Sequence, residues 1–366
     1  MLLIGMLLER KTKSVMIIAP YPKNGAPGQR FRYEQYLSFL EQESISYTYY
    51  SFLDTNTNSI LYQQGYYLKK IAGVLTGFFN RIRLLFKVPS YDFVFIFREA
   101  TPVGPPVIEW VIAKVLKKKI IYDFDDAIWL PNTSEANKIA AYLKFNSKVS
   151  SICKWAYKVS CGNRYLCAYA SKFNNKVVLN PTTIDTINHH NRIKNQHSDK
   201  FIIGWTGTHS TMIYLAEIVP VLEKLEEKLE FKFLIISNKE PDFKLKSLEY
   251  RQWREESEID DLLEFNIGLM PLTHDQWSEG KCGFKALQYM ALGIPALVSP
   301  VGVNKEIVSH GYDGFLCSTL EDWEKYILEL CTDAIRREEM GRKAQSKIEL
   351  KYSVNSNKFN FLDLFN

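Results

Sequence analysis

Residues 279–306 read EGKCGFKALQYMALGIPALVSPVGVNKE, and their order decides the fold. Gly280 and Gly283 open the stretch with a loop that permits close backbone approach. Phe284, Leu287 and Ala291 then recur at helical spacing, until Gly293 and Pro295 stop the helix. Ala296, Leu297 and Val298 form a short apolar run of the kind buried on both faces of a parallel sheet. A second glycine loop at Gly302 ends on Glu306. Lys285 and Gln288 are three positions apart, hence neighbours on the helix face away from the core, and Lys281 joins them if the helix starts near it. A glycine loop feeding a helix N-terminus that carries lysines is suited to holding a diphosphate.

Outward from this segment the chain alternates strand and helix patterns. Residues 15–19, 93–97, 120–124 and 158–161 read as strands, with helical patterns from Phe31 to Leu40, over 107–116 and from about Tyr165. Residues 188–199 hold one apolar residue in twelve and read as a linker in which His189 and His190 face solvent. The alternation then restarts, with strands over 201–205, 231–237 and 265–270 and a helix over 215–229. Such alternation predicts an α/β chain of two doubly wound, Rossmann-like domains facing across a cleft, over 1–187 and 200–349.

The opening segment also resembles a known family. Retaining glycosyltransferases of family 4 (glycosyl transferases group 1), which have the two-domain GT-B fold, carry a loop and helix with two glutamates eight positions apart. An Ala-Met-Ala-x-Gly-x-Pro-type segment, a strand and a glycine-rich loop ending in Glu follow. Met290, Ala291, Gly293, Pro295, Gly302 and Glu306 fit that layout. The glutamates do not: the second position is Gln288 and the first is Gly280, with Glu279 one residue early. The resemblance implies a GT-B fold in which a final helix, about 350–366, packs back on the first domain. It also implies a hexosyltransferase-type enzyme that moves a sugar from a nucleotide-diphosphate donor to a glycan or lipid-linked acceptor with retention, without metal or other cofactor, in cell-surface polysaccharide synthesis. The donor is then expected on the second domain, against Gly207, Thr208, His209, Ser210, Lys281, Gly283, Phe284, Lys285, Gln288 and Glu306, with Glu279 at the sugar hydroxyls. An epimerase acting on the 2-position of a nucleotide sugar shares the architecture and is the alternative within enzymes.

Composition frames this reading. A chain of 366 residues, 46% hydrophobic, is long enough for two cores. Residues 1–199 carry 26 Lys and Arg against 14 Asp and Glu, a balance of +12, and the remainder carries 20 against 27, a balance of −7. A basic half suits a polyanionic or anionic partner: nucleic acid, a membrane surface or a phosphorylated substrate. No nucleic-acid motif accompanies it, so a nucleic-acid-binding protein stands only as the alternative from another class. The six cysteines show no C-x-x-C pair, which fits a reducing cytoplasm and speaks against zinc and disulfides. Residues 1–8 are mostly apolar, but no basic residue precedes them and Glu9, Arg10 and Lys11 follow, unlike a signal peptide or a membrane span. The expectation is a cytoplasmic protein, soluble or peripheral on the inner face of the plasma membrane.

Several further residues could carry chemistry. Residues 204–210, GWTGTHS, close a strand and open a helix that Thr208 or Ser210 would cap, and the Arg and Lys usual for the family on this turn are absent. In the loop PKNGAPGQRFR, Gly25 and Gly28 precede Arg30 and Arg32, whose guanidinium forks suit donor phosphates or a phosphorylated acceptor. Asp123, Asp125 and Asp126 follow a strand; a D-x-D pair could hold a cation, but two doubly wound domains favour Asp125 or Asp126 orienting a hydroxyl, with no metal. Arg98 and Glu99 close another strand as an ion pair or a ligand contact, and Asn163 with Arg164 would line the acceptor side. Trp129 and Trp277 could stack on sugars or pack in the core. The catalytic set expected is Lys285, Asp126, Asp125 and Glu279. Finally, the run from Thr55 to Tyr91 contains no acid and sets Lys69, Lys70, Arg81, Arg83 and Lys87 among large apolar residues, so 60–88 reads as a helix for an anionic membrane surface or as a core helix with a basic edge.

Overall fold

The computed structural model describes residues 12–61, 63, 65–131, 144–197 and 200–366; the apolar N-terminal stretch, Tyr62 of the basic run and the last two linker positions lie outside them. Among the described residues twelve strands form two six-stranded, wholly parallel sheets. The first contains β1 (Lys13–Ala19), β2 (Ile45–Ser51), β3 (Phe93–Phe97), β4 (Lys119–Phe124), β5 (Lys158–Cys161) and β6 (Val177–Leu179), in the order β2-β1-β3-β4-β5-β6. The second contains β7 (Ile202–Gly207), β8 (Lys232–Ser237), β9 (Leu248–Gln252), β10 (Ile267–Met270), β11 (Ala296–Val298) and β12 (Gly314–Leu316), in the order β12-β11-β10-β7-β8-β9. In each, strand order reverses once, beside β1 and beside β7, and such a reversal opens a crevice at the carboxyl ends of the strands.

Both sheets are buried on two faces because successive side chains alternate. Met16, Ile18, Val94, Ile96, Ile120 and Tyr122 pack on one side of the first sheet, while Val15, Ile17, Phe93, Phe95 and Phe97 pack on the other with Val354, Phe361, Leu364 and Phe365 from the chain's end. The helix Val354–Leu362 therefore lies on the first sheet, with Phe361 stacked on Tyr36 at 4.6 Å. In the second sheet Gly204 and Gly268 sit side by side on β7 and β10, where a Cβ would collide with the rings of Phe265 and Tyr289.

Three local expectations are corrected. The pattern over 31–40 is broken into Pro27–Arg32, a 3₁₀ turn and Leu37–Gln42. The helix over 215–229 is likewise split, at Ile218 just ahead of Pro220, into a 3₁₀ turn over Ile213–Glu217 and a helix over Val219–Leu225. The segment between the sheets is not a solvated tether: His190 is buried edge-on to Phe31, and Gln196 is buried, its amide donating to the carbonyl of Asn266.

Candidate active site

The carboxyl ends of β4 and β5 meet the 279–285 loop of the second domain, beside Arg98 from the end of β3. Arg98, just past β3, has φ 58°, a left-handed conformation that costs a non-glycine residue energy and marks a constrained site. Its backbone N–H donates to the carbonyl of Asp123, and its guanidinium donates to Asp125 Oδ1 at 2.7 Å and Asp126 Oδ2 at 2.8 Å. Lys281 reaches across from the second domain to Asp126 Oδ1 at 2.9 Å and lies over the ring of Trp277. Asp126 thus spends both oxygens on cations. Burial opposes its charge, but Lys281 and Arg98 outweigh burial and hold its carboxyl below the ordinary range. In Asp125 burial dominates, only partly offset by Arg98, and pushes the carboxyl up. Its Oδ2 accepts no hydrogen bond from the described residues and faces Gly28, where a Cβ would stand 3.0 Å away.

Lys285 forms no hydrogen bond or ion pair among the described residues. Its ammonium hangs over the ring of Trp205 at 5.4 Å, and Gly207 leaves room for it, since a Cβ there would meet Lys285 Cε at 2.7 Å. Removal from water, then repulsion from Lys281, pushes its pKa down to about 7, with Asp126 a partial offset. Lys285 is in the first turn of the helix Phe284–Ala291, whose unpaired N–H groups favour an anion and not a cation. Gly283 precedes that helix at φ 69°, a conformation natural to glycine, against Asn304 and Ile307. The site holds an unpaired cation beside free backbone donors, an arrangement that invites a charged oxygen group.

Beside this centre the Thr208–Ser210 turn is exposed at the end of β7. Thr208 occupies the cap position but makes no capping bond; its hydroxyl pairs with that of Ser210 at 2.9 Å. The His209 backbone N–H donates to Asn238 Oδ1 at 2.8 Å, and its ring Nε2 lies 3.1 Å from Lys239 Nζ. Asn238 and Lys239 were not legible as site residues. They follow β8 in sequence, and only the β7–β8 pairing brings a lysine to a turn that lacks one.

Other expected ligands are committed elsewhere. Arg32 is fully buried, with its Nε 3.2 Å from Asp123 Oδ2 and a further bond to the carbonyl of Asn180, so it binds no phosphate. Asp123 is consumed by the same pair, which leaves D-x-D without its first carboxylate. Arg30 pairs with Glu258 of the second domain at 2.6 Å. Gln288 is buried instead of facing outward, 3.4 Å from His190 Nε2 and 3.5 Å from Glu258 Oε1. Phe284 packs against Phe31, with ring centroids 4.3 Å apart and planes tilted by 49°, a contact between the domains. Asn163 is buried as the cap of Arg164–Ala170, and its amide donates to the carbonyls of Glu279 and Lys281, clamping the loop that carries the site. Arg164 and Glu306 face each other at 3.4 Å on the exposed rim. Glu99 pairs with Lys148, not with Arg98. Trp129 stacks on Tyr169 at 3.7 Å, a packing role. Among the described residues no three His, Cys, Asp or Glu side chains gather as a metal site.

Two parallel doubly wound sheets with a cationic crevice between them define a GT-B architecture, and comparison with solved structures agrees. Sucrose-phosphate synthase from Thermosynechococcus elongatus is 11% identical, with a TM-score of 0.69 over 96% of this chain and 98% of that one. Anabaena HepE, solved with UDP and glucose, is 13% identical, with a TM-score of 0.60 over 96% and 98%. The lipopolysaccharide outer core galactosyltransferase WaaB is 12% identical, with a TM-score of 0.61 over 96% and 98%. No curated protein matches the sequence. Residues 200–333 match the family model described as Glycosyl transferases group 1. The match over residues 200–333 and the shared GT-B fold support a glycosyltransferase.

Proposed function

We propose that the enzyme is a retaining glycosyltransferase that moves a sugar from a nucleotide-diphosphate donor to a hydroxyl of a glycan or lipid-linked acceptor, in cell-surface polysaccharide synthesis on the cytoplasmic side. The observation that carries the donor side is Lys285: a half-buried ammonium with no anionic partner among the described residues, beside Lys281 and a helix N-terminus. A diphosphate placed there would restore the charge that desolvation opposes, and the same groups would take up the charge that grows on the departing diphosphate. That HepE was solved with UDP supports a nucleotide in this crevice.

On the acceptor side Asp125 is the better-suited carboxylate, since Asp126 has both oxygens occupied. A carboxyl raised by burial, fixed through Oδ1 by Arg98 and open at Oδ2, can accept a hydroxyl hydrogen and orient its oxygen toward the sugar. The reading needs no metal, because Lys281, Lys285 and backbone N–H groups supply the positive charge. Glu279 stands at the rim of the same loop for sugar hydroxyls. Thermal-shift screening against a panel of nucleotide sugars tests the donor reading, and Lys285→Ala should abolish most of the shift and the turnover. Product analysis with the chosen donor alone separates transfer from epimerisation: an altered donor sugar without acceptor would replace this reading by the epimerase.

A further inference from the structure

The helix Tyr67–Leu85 is the longest in the described chain, and its two faces are built for different neighbours. On the inner face lie Gly77, Arg81 and Leu84, all buried. Gly77 lets the helix sit against Phe52, where a Cβ would come within 2.8 Å of the ring and the backbone carbonyl. Arg81, at 1% exposure, donates to the carbonyls of Ala19 and Ala100 at 2.8 Å each, and to those of Tyr50 and Ser51 at 3.1 and 3.3 Å. Those carbonyls mark the carboxyl ends of β1 and β2 and the turn just beyond Arg98. The expectation of a surface role for Arg81 is therefore wrong: its guanidinium rivets the helix to the strand ends that floor the acceptor crevice.

The outer face is apolar and uncovered. Leu68, Ile71, Leu75, Phe79, Ile82 and Phe86 follow one another by three or four positions, a single helical stripe, and each is more than half exposed, Leu68 and Phe86 at 84%. Six large hydrophobic side chains in one unbroken row are not the scattered exposure of an ordinary surface. Lys69 and Arg83 flank the row, with Lys87 at its end. Arg83 lies over the Phe79 ring and Lys87 over that of Tyr50. No acid occurs between Thr55 and Tyr91. An apolar stripe whose only bordering charges are basic matches a surface that is apolar below and anionic at the rim, which is the interface of an anionic bilayer. Among the described residues no helix is long and apolar enough to cross a membrane, so the stripe would lie in the headgroup plane.

We propose that this face seats the enzyme on an anionic bilayer, with Arg81 holding the crevice at a set position above it, so that the acceptor is a glycan carried on a membrane lipid. The choice of acceptor rests on the glycosyltransferase reading; the docking itself does not.

The test is flotation of the full chain with vesicles of phosphatidylcholine alone and of phosphatidylcholine with phosphatidylglycerol. The wild type should float with the anionic vesicles. Leu68→Ser/Leu75→Ser/Phe79→Ser should reduce the bound fraction about tenfold or more, as loss of three buried apolar groups requires. Lys69→Gln/Arg83→Gln/Lys87→Gln should reduce it severalfold and remove the preference for anionic lipid. Since the substituted positions are exposed, both variants should keep the wild-type circular dichroism and the wild-type thermal shift with a nucleotide sugar. A wild type that does not float, or a serine variant that floats as well as wild type, overturns the proposal. So does light scattering that shows a wild-type dimer made monomeric by the serine variant without flotation, which would assign the stripe to a second copy. A missing nucleotide-sugar shift in every form would instead sink the donor reading and leave the docking result standing.

Discussion

Lys281 Nζ lies 2.9 Å from Asp126 Oδ1, and this ion pair spans the cleft between the two sheets. The lysine belongs to the loop before the helix Phe284–Ala291, and the aspartate, just past β4, lies 155 positions earlier in the chain. Because Arg98 holds the other oxygen of Asp126, one carboxylate ties both domains to the crevice floor. Asp126→Asn should therefore cost about 10²-fold in kcat/KM by releasing Lys281 and Arg98 from position. It should also destabilise the fold by about 1–3 kcal/mol, since two poorly solvated cations lose their partner. Urea unfolding beside steady-state kinetics reads both effects.

Lys285 should trade stability for function. Its charge is removed from water without an anion to compensate it, so Lys285→Met should raise the stability of the ligand-free enzyme by about 1 kcal/mol while lowering turnover by at least about 10²-fold. A destabilised Lys285→Met enzyme would contradict the absence of an anionic partner.

A pH dependence follows from the same residue. With its pKa pushed down to about 7, Lys285 is largely neutral in the free enzyme at pH 8.5 and charged at pH 6. Donor phosphate favours the charged form and so raises this pKa, which means that donor binding above about pH 7 takes up a proton. Calorimetry in buffers of different ionisation enthalpy should show that uptake at about pH 8.5 and almost none at about pH 6, and Lys285→Met should abolish it.

Gly28 sets the room beside Asp125. A methyl group 3.0 Å from Oδ2 would occupy the approach of an acceptor hydroxyl, so Gly28→Ala should depress transfer about tenfold or more while leaving the donor thermal shift intact. Equal loss of both would move Gly28 to the donor side.

Arg32 and Arg98 are expected to respond in opposite ways. Arg32 is sealed against Asp123, and its removal strands a buried carboxylate, so Arg32→Met should destabilise by about 3–5 kcal/mol. Arg98, 30% exposed in its side chain, should cost less stability and more activity. Denaturation midpoints and specific activities of the two variants, measured together, distinguish an internal brace from a site residue.

Much of the fold was legible because its signals are local. The apolar runs of β1, β3, β4, β7, β8, β10 and β11 are buried on two faces and need no partner to be recognised. The unread strands are the sheets' outer members: β2 and β9 are only partly buried along their length, while β6 and β12 have three residues each. Too little pattern survives in such strands to separate them from loops. The helix Tyr67–Leu85 carried a signal that could have been used: Gly73, Gly77, Arg81 and Leu84 recur at helical spacing, which places Arg81 on the packed face beside two glycines.

By itself the sequence determined the two doubly wound halves, the glycine loop and lysine-bearing helix of the second domain, and the basic apolar stripe. Each of these is a matter of spacing between near neighbours in the chain. Only the tertiary structure decided the partner of each charge. Arg30, Arg32 and Arg98 look alike in sequence, yet one meets Glu258, one meets Asp123 and one holds Asp125 and Asp126. Those pairings depend on which strand ends lie side by side and on how one domain docks against the other, and for a charge the nearest opposite charge decides whether it braces the fold or remains for a ligand.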